Sequence, residues 1–350
     1  MGILPRFSFP FLFTACCLLL GFSACGPDRP PPPDVSDIAA PLQLIRFEPD
    51  LLALDTSRVE AEIARLKAEY GEFGQIFFQY VLPLDRGDFS PEQRPQVLKS
   101  FLADTLVREL NQRAAAAYPD LQPEVEQLQQ AVRYLKHYLP RVPAPDTLVT
   151  FAAPLEYATF LYGDNNLAVG LDFFLDDFPY KSVDAASPIF SDYLTRTYRR
   201  DHLVPKLIQT LVEDLIPEPT GGRLLDFMVV NGKRLYLQQL LLPETPADIR
   251  LEMTPDQVDW LAENEFPMYI YLQKEGLLYS TEVRKFRKYI DPSPNSPGMP
   301  AEAPGRTANY LGYRIVQSFM ANNPAVTVPE LLALTDAQEL LNRSRFKPKE

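Results

Sequence analysis

Apolar positions between Arg223 and Leu242 fall on almost every side of a helical wheel. Leu224, Phe227, Met228, Val230, Leu235, Leu237, Leu241 and Leu242 leave no continuous polar face. A helix of that kind belongs in a core with other elements around it. Asn231, Gly232, Lys233 and Arg234 interrupt the pattern halfway along. Glycine inside a helix costs about 1 kcal/mol against alanine, so Gly232 predicts close packing or a kink.

Amphipathic spacing predicts further helices on both sides. Ser57 with Glu60 reads as a capping box, followed by Val59, Ile63, Leu66 and Tyr70 at helical spacing and a stop at Gly71. Ser90-Pro91 opens a second helix with Leu98, Phe101, Leu102 and Leu106 on one face, and Val125 to Leu139 forms a third that ends before Pro140. Period-two alternation occurs at Thr147–Phe151, Tyr157–Tyr162 and Leu167–Phe173, the last two joined across Gly163 to Asn166. His202 stands at the start of another helix. Thr254 with Gln257 caps one that kinks at Pro267 and runs towards Gly276. Residues 291–306, with five prolines and two glycines, form a loop before a helix at Thr307–Met320. Thr327 with Glu330 and Thr335 with Gln338 predict two short final helices. The fold class is α+β and mostly helical, with a small central sheet.

The N-terminus reads differently. Residues 1–24 form a signal, with Arg6 as the positive charge and Phe11–Leu20 as an apolar run too short to span a bilayer. Phe22-Ser23-Ala24-Cys25 is similar to the lipobox of bacterial lipoproteins, which makes Cys25 the expected lipidated residue. Cys16 and Cys17 leave with the signal, so no disulfide or cysteine metal site is expected afterwards. Residues 25–44 form a proline-rich tether. In extended polyproline form, at about 3.1 Å per residue, its stretch Gly26–Pro41 would reach about 50 Å. The remaining span, 45–350, is expected to be one domain.

Net charge is −12, which argues against nucleic acid and anionic lipid surfaces as partners. No phosphate-binding glycine loop or Gly-x-Ser-x-Gly elbow occurs. The two histidines, His137 and His202, lie in no zinc-binding pattern, and His137 reads as a helix-surface or packed residue. Two acid groupings are candidates for chemistry: Asp172 with Asp176 and Asp177, and Glu263 with Glu265 on either side of Asn264. Neither has the spacing of a calcium loop, and both read more simply as solvated faces. The chain is expected to hold no zinc or other cofactor and to cleave no peptide.

Several segments, in order, resemble the GldB family of gliding-motility lipoproteins of Bacteroidetes. They are Gly170-Leu171-Asp172, Gly232-Lys233-Arg234-Leu235-Tyr236, Trp260 with Asn264-Glu265, Leu278-Tyr279-Ser280, Asn295-Ser296-Pro297-Gly298 and the run Tyr310–Met320, closed by Ser344 and Lys347-Pro348. The loop Pro292–Pro300 departs from the family in the residues before Asn295. The family is in turn distantly similar to gluzincin metallopeptidases. That second resemblance implies a zincin-like architecture with a vacated metal site. Asn231, Gly232 and Leu235 would stand where histidine, glutamate and histidine belong, and Glu263 or Glu265 where the third ligand does.

These resemblances imply a non-enzymatic lipoprotein of the gliding-motility and type IX secretion apparatus. It would be held to a membrane of the cell envelope through the lipid on Cys25, facing the periplasm, and would bind other envelope proteins. The alternative is an envelope lipoprotein that binds a peptide or ligand in the degenerate peptidase groove. An active hydrolase with an unrecognised site is a third reading.

Overall fold

Four short strands, fifteen α-helices and five short 3-10 or π-helical turns form the described chain, which in this computed structural model covers Gly2 and residues 31–350. Apart from Gly2, the expected signal lies outside the described residues, and so does Cys25. The first half runs β1 (Gln43–Arg46), α1 (Glu48–Leu52), α2 (Val59–Ile76), α3 (Arg94–Ala103), α4 (Thr105–Ala117) and α5 (Gln122–Tyr138). Then come β2 (Thr147–Phe151), β3 (Thr159–Tyr162), β4 (Asn166–Gly170), α6 (Asp192–Thr195) and α7 (Leu203–Leu215). The second half is helical: α8 (Leu224–Leu241), α9 (Ala247–Leu251), α10 (Pro255–Glu263), α11 (Glu265–Lys274) and α12 (Val283–Ile290). It closes with α13 (Thr307–Asn322), α14 (Val328–Ala333) and α15 (Ala337–Ser344).

The sheet has the order β1-β2-β4-β3, with β1, β2 and β4 parallel and β3 antiparallel to β4. Both faces are covered, as a mainly parallel sheet requires. Leu148, Leu167 and Val169 point into one cluster with α4, α5 and α7. Val149, Phe151 and Ala168 point the other way, into the aromatic cluster of Phe47, Phe73, Phe77 and Phe78. A third cluster holds α10 to α13 and α15. Helix α8 is shared: Leu224, Leu225, Met228 and Val229 belong to the third cluster, while Leu237 and Leu241 belong to the first. Its all-round apolar pattern is thus explained by two different cores at its two ends.

Several expectations need correction. The ordered chain starts earlier than residue 45, because Val35 is buried in the first cluster and the carbonyls of Ile38 and Ala39 accept from Arg133 and Lys136 of α5. Residues 34–44 are therefore packed chain and not tether. Ser57 does not cap α2; its hydroxyl bonds Asp55, and Arg58 occupies the cap position. At Gly71 the backbone leaves helical geometry at φ 55°, but the helix resumes and runs to Ile76. Leu106 lies in α4, a helix capped by Asp104 that the apolar spacing did not reveal. The helix after Thr254 breaks at Asn264 and not at Pro267, and Asp336 replaces Thr335 as the cap of α15. The boxes at Thr254–Gln257 and Thr327–Glu330 form as read.

Candidate functional site

The polar break in α8 meets α13 at glycine on both sides. A Cβ on Gly232 would overlap the backbone carbonyl of Gly312 and stand 2.8 Å from the nitrogen of Tyr313, and one on Gly312 would overlap the carbonyl of Met228. The two backbones therefore touch, which explains why the break contains a glycine. Around this contact the polar residues are all engaged. Asn231 donates to Asn309 Oδ1 at 2.9 Å, and Arg234 donates to the Ile216 carbonyl at 2.9 Å and to Glu218. Buried Lys233 places Nζ on the carbonyl of Leu334 at 2.5 Å, at the end of α14. Among the described residues it has no carboxylate partner, and burial holds its amine down at about 8. Leu235 packs against the third cluster.

Glu263 and Glu265 separate. Glu263 is exposed on α10, whereas Glu265 is 1 % exposed at the start of α11. The Glu265 carboxylate accepts from Arg314 Nε at 2.6 Å, from Tyr310 Oη at 3.3 Å and from the Lys349 backbone N–H at 3.2 Å. It fastens α11, α13 and the C-terminal residues together. Helix α13 lies directly against Gly232, while Asn231 and Leu235 on either side stay half-buried. A glutamate at position 232 would collide with the Gly312 backbone unless the two helices moved apart.

Asp172 also separates from its neighbours. Asp176 and Asp177 are exposed, and Asp176 accepts the Arg200 N–H at 2.9 Å. Asp172 is fully buried. Its Oδ2 accepts the N–H of Leu155 at 2.8 Å, its Oδ1 has no partner among the described residues, and Leu155 sits in the left-handed region at φ 58°. Burial pushes the Asp172 carboxyl up to about 7, against the backbone N–H groups that hold it down. Because the folded value exceeds the ordinary one of 3.8, this group stabilises the fold fully below that value, and its contribution is lost as pH rises towards 7. Asp172→Asn should remove that dependence. Relative to the variant, the wild-type protein should lose up to about 1.4 kcal/mol per pH unit across that window, measured by denaturant unfolding at a series of pH values. Parallel profiles would exclude Asp172 as the titrating group.

Two features were missed by sequence reading. Glu252, at φ 56°, ends α9, and its carboxylate lies between Lys206 and Arg306, the latter at φ 60° and 2.8 Å away. Burial pushes this carboxyl up, and the two cations outweigh it and hold it at about 2. Arg196 and Arg306 also donate to the Glu252 carbonyl. No local pattern marks residues so far apart in the chain. The other feature is the exposed face of α12, with Arg284, Lys285, Arg287 and Lys288, which the overall acidity concealed. Among the described residues, no three His, Cys, Asp or Glu side chains gather as a metal site. None of the described helices is long and apolar enough to cross a membrane.

The family model for gliding motility protein GldB matches residues 28–348. The chain belongs to the GldB family. No curated protein and no solved structure matches it. Family membership makes this a gliding-motility-related lipoprotein. The segments that carry the GldB resemblance largely act as joints between elements. Gly170–Asp172 holds the loop at Leu155, and the carbonyls of Leu278 and Ser280 receive the first N–H groups of α8. The Pro297 carbonyl accepts from Tyr271 and Tyr289, and Asn264 bonds the Trp260 carbonyl at 2.8 Å.

Proposed function

We propose that this GldB-family protein is a non-enzymatic, lipid-anchored component of the gliding and type IX secretion apparatus. The observation that carries the reading is the family match over residues 28–348. The Cys25 lipobox supplies the anchor and implies a cell-envelope location facing the periplasm. The engagement of Glu265, Glu252, Asn231 and Arg234 in contacts that join helices supports a scaffolding role over a catalytic one. The close packing of α13 on α8 at Gly232 favours this reading over the peptide-binding alternative.

Deleting the gene is expected to abolish colony spreading and to impair secretion. Wild-type copies should restore both, and copies carrying Cys25→Ala should restore neither. Labelled palmitate should enter the wild-type protein and not the variant. Unchanged spreading after deletion would remove the motility role, and label persisting in Cys25→Ala would remove the anchor.

A further inference from the structure

Helix α12 inverts the charge of the protein around it. In a chain of net charge −12, four of the five residues 284–288 are cationic, and all four are exposed. Their direction is fixed, because Phe286, Tyr289 and Ile290 are buried in the third cluster and leave the helix no freedom to turn the charges inward. Internal neutralisation is incomplete. Lys285 pairs with Glu282 at 2.7 Å and Arg287 with Asp291 at 2.5 Å. The side chains of Arg284 and Lys288 have no hydrogen-bond or ion-pair partner among the described residues. Two large exposed side chains stand just before the charges in the chain, Tyr279 at 54 % and Val283 at 44 %.

We infer that the exposed face of α12, with Tyr279 and Val283, is a contact surface for an anionic lipid bilayer. The charge complementarity is direct: unpaired cations on a convex helix face are attracted to acidic headgroups, and a neighbouring tyrosine suits the headgroup boundary. Because the apolar side of α12 is already used by the core, the helix docks on the surface and does not insert. The inference rests on the lipid-anchored reading, which brings a bilayer within reach. No more than eight residues, 26–33, lie between Cys25 and the packed chain, a span of about 30 Å even when fully extended. A tethered domain meets the membrane at high effective concentration, so a weak charged face is sufficient to fix its orientation.

The test uses the chain from Cys25 onward, left unacylated, so that binding cannot come from the lipid. All three hydrophobic clusters lie within residues 35–340, and circular dichroism checks that the wild-type chain and the Arg284→Gln/Lys288→Gln variant are equally folded. Each is sedimented with vesicles of phosphatidylcholine alone and with vesicles containing phosphatidylglycerol. The wild-type chain should bind only the anionic vesicles and release at about 1 M salt, where screening shortens to about 3 Å. The double variant should bind roughly tenfold more weakly or worse. No binding to anionic vesicles, equal binding to both kinds, or equal binding by the variant would each overturn the inference. If vesicles are not bound but the double substitution stops colony spreading, α12 instead docks an acidic protein. Failure of palmitate labelling at Cys25 would overturn the anchor and leave the vesicle result to stand alone.

Discussion

Replacing Glu265 with alanine is expected to destabilise the protein by about 3–5 kcal/mol, the usual penalty for removing one partner of a buried ion pair. The carboxylate has one charged and two neutral donors on its two oxygens, and it is almost wholly shielded from water. Its removal leaves the Arg314 guanidinium, itself largely shielded, with only Gln317. Glu265→Gln should lose less than alanine, because an amide can still receive one of the three donors. Glu263→Ala provides the comparison: two residues away and exposed, it should change stability by no more than about 0.5 kcal/mol. Urea unfolding of the three variants measures these differences. Equal stability for the 263 and 265 variants would show that Glu265 is not the fastener of α11 and α13.

Gly312→Ala is expected to have a comparable effect through a different cause. The added methyl falls on the Met228 carbonyl, which is backbone in the middle of α8 and cannot rotate away. The helices must separate, and Leu311, Ile315, Val316 and Phe319, all fully buried, lose contacts along the seam. Overpacking usually costs about 1–3 kcal/mol, and a backbone-to-backbone clash places this substitution at or above the upper end. Gly276→Ala is the control: it gives up a glycine at φ 64°, but no atom lies within 4 Å of the new methyl. Thermal unfolding should therefore show the larger loss for Gly312→Ala. The reverse order would mean that α8 and α13 part more easily than their contact implies.

What could be read in advance depended on how local each determinant is. The α8 pattern, the Thr254 and Thr327 caps and the strand Thr147–Phe151 are written within a few residues of chain, and they appear where the sequence places them. Helix α4 escaped because its cap, Asp104, follows α3 without a gap and its last turn is an alanine run with no apolar stripe. At the interruption Asn231–Arg234, Gly232 pointed to close packing or a kink but not to the partner, because that glycine is eighty positions away. Element order alone could not show that α13 packs directly on α8 at Gly232. The Glu252 cluster joins α7, α9 and the residue before α13, and nothing near Glu252 announces it.

The pairing of β1 with β2 sets an order of events for the folding chain. Gln43 lies beside Thr147, and everything between them apart from the strands themselves is helical or connecting segment. Parallel strands so distant in sequence close a long loop, which is entropically slow compared with local helix formation. During N-terminal-first synthesis, β1 therefore exists long before any strand that can receive its N–H and C=O groups. At that stage only local helices can form on its C-terminal side. The pairing of β1 at the sheet edge, and with it the closing of the Phe47 cluster over Val149 and Phe151, therefore has to wait for β2.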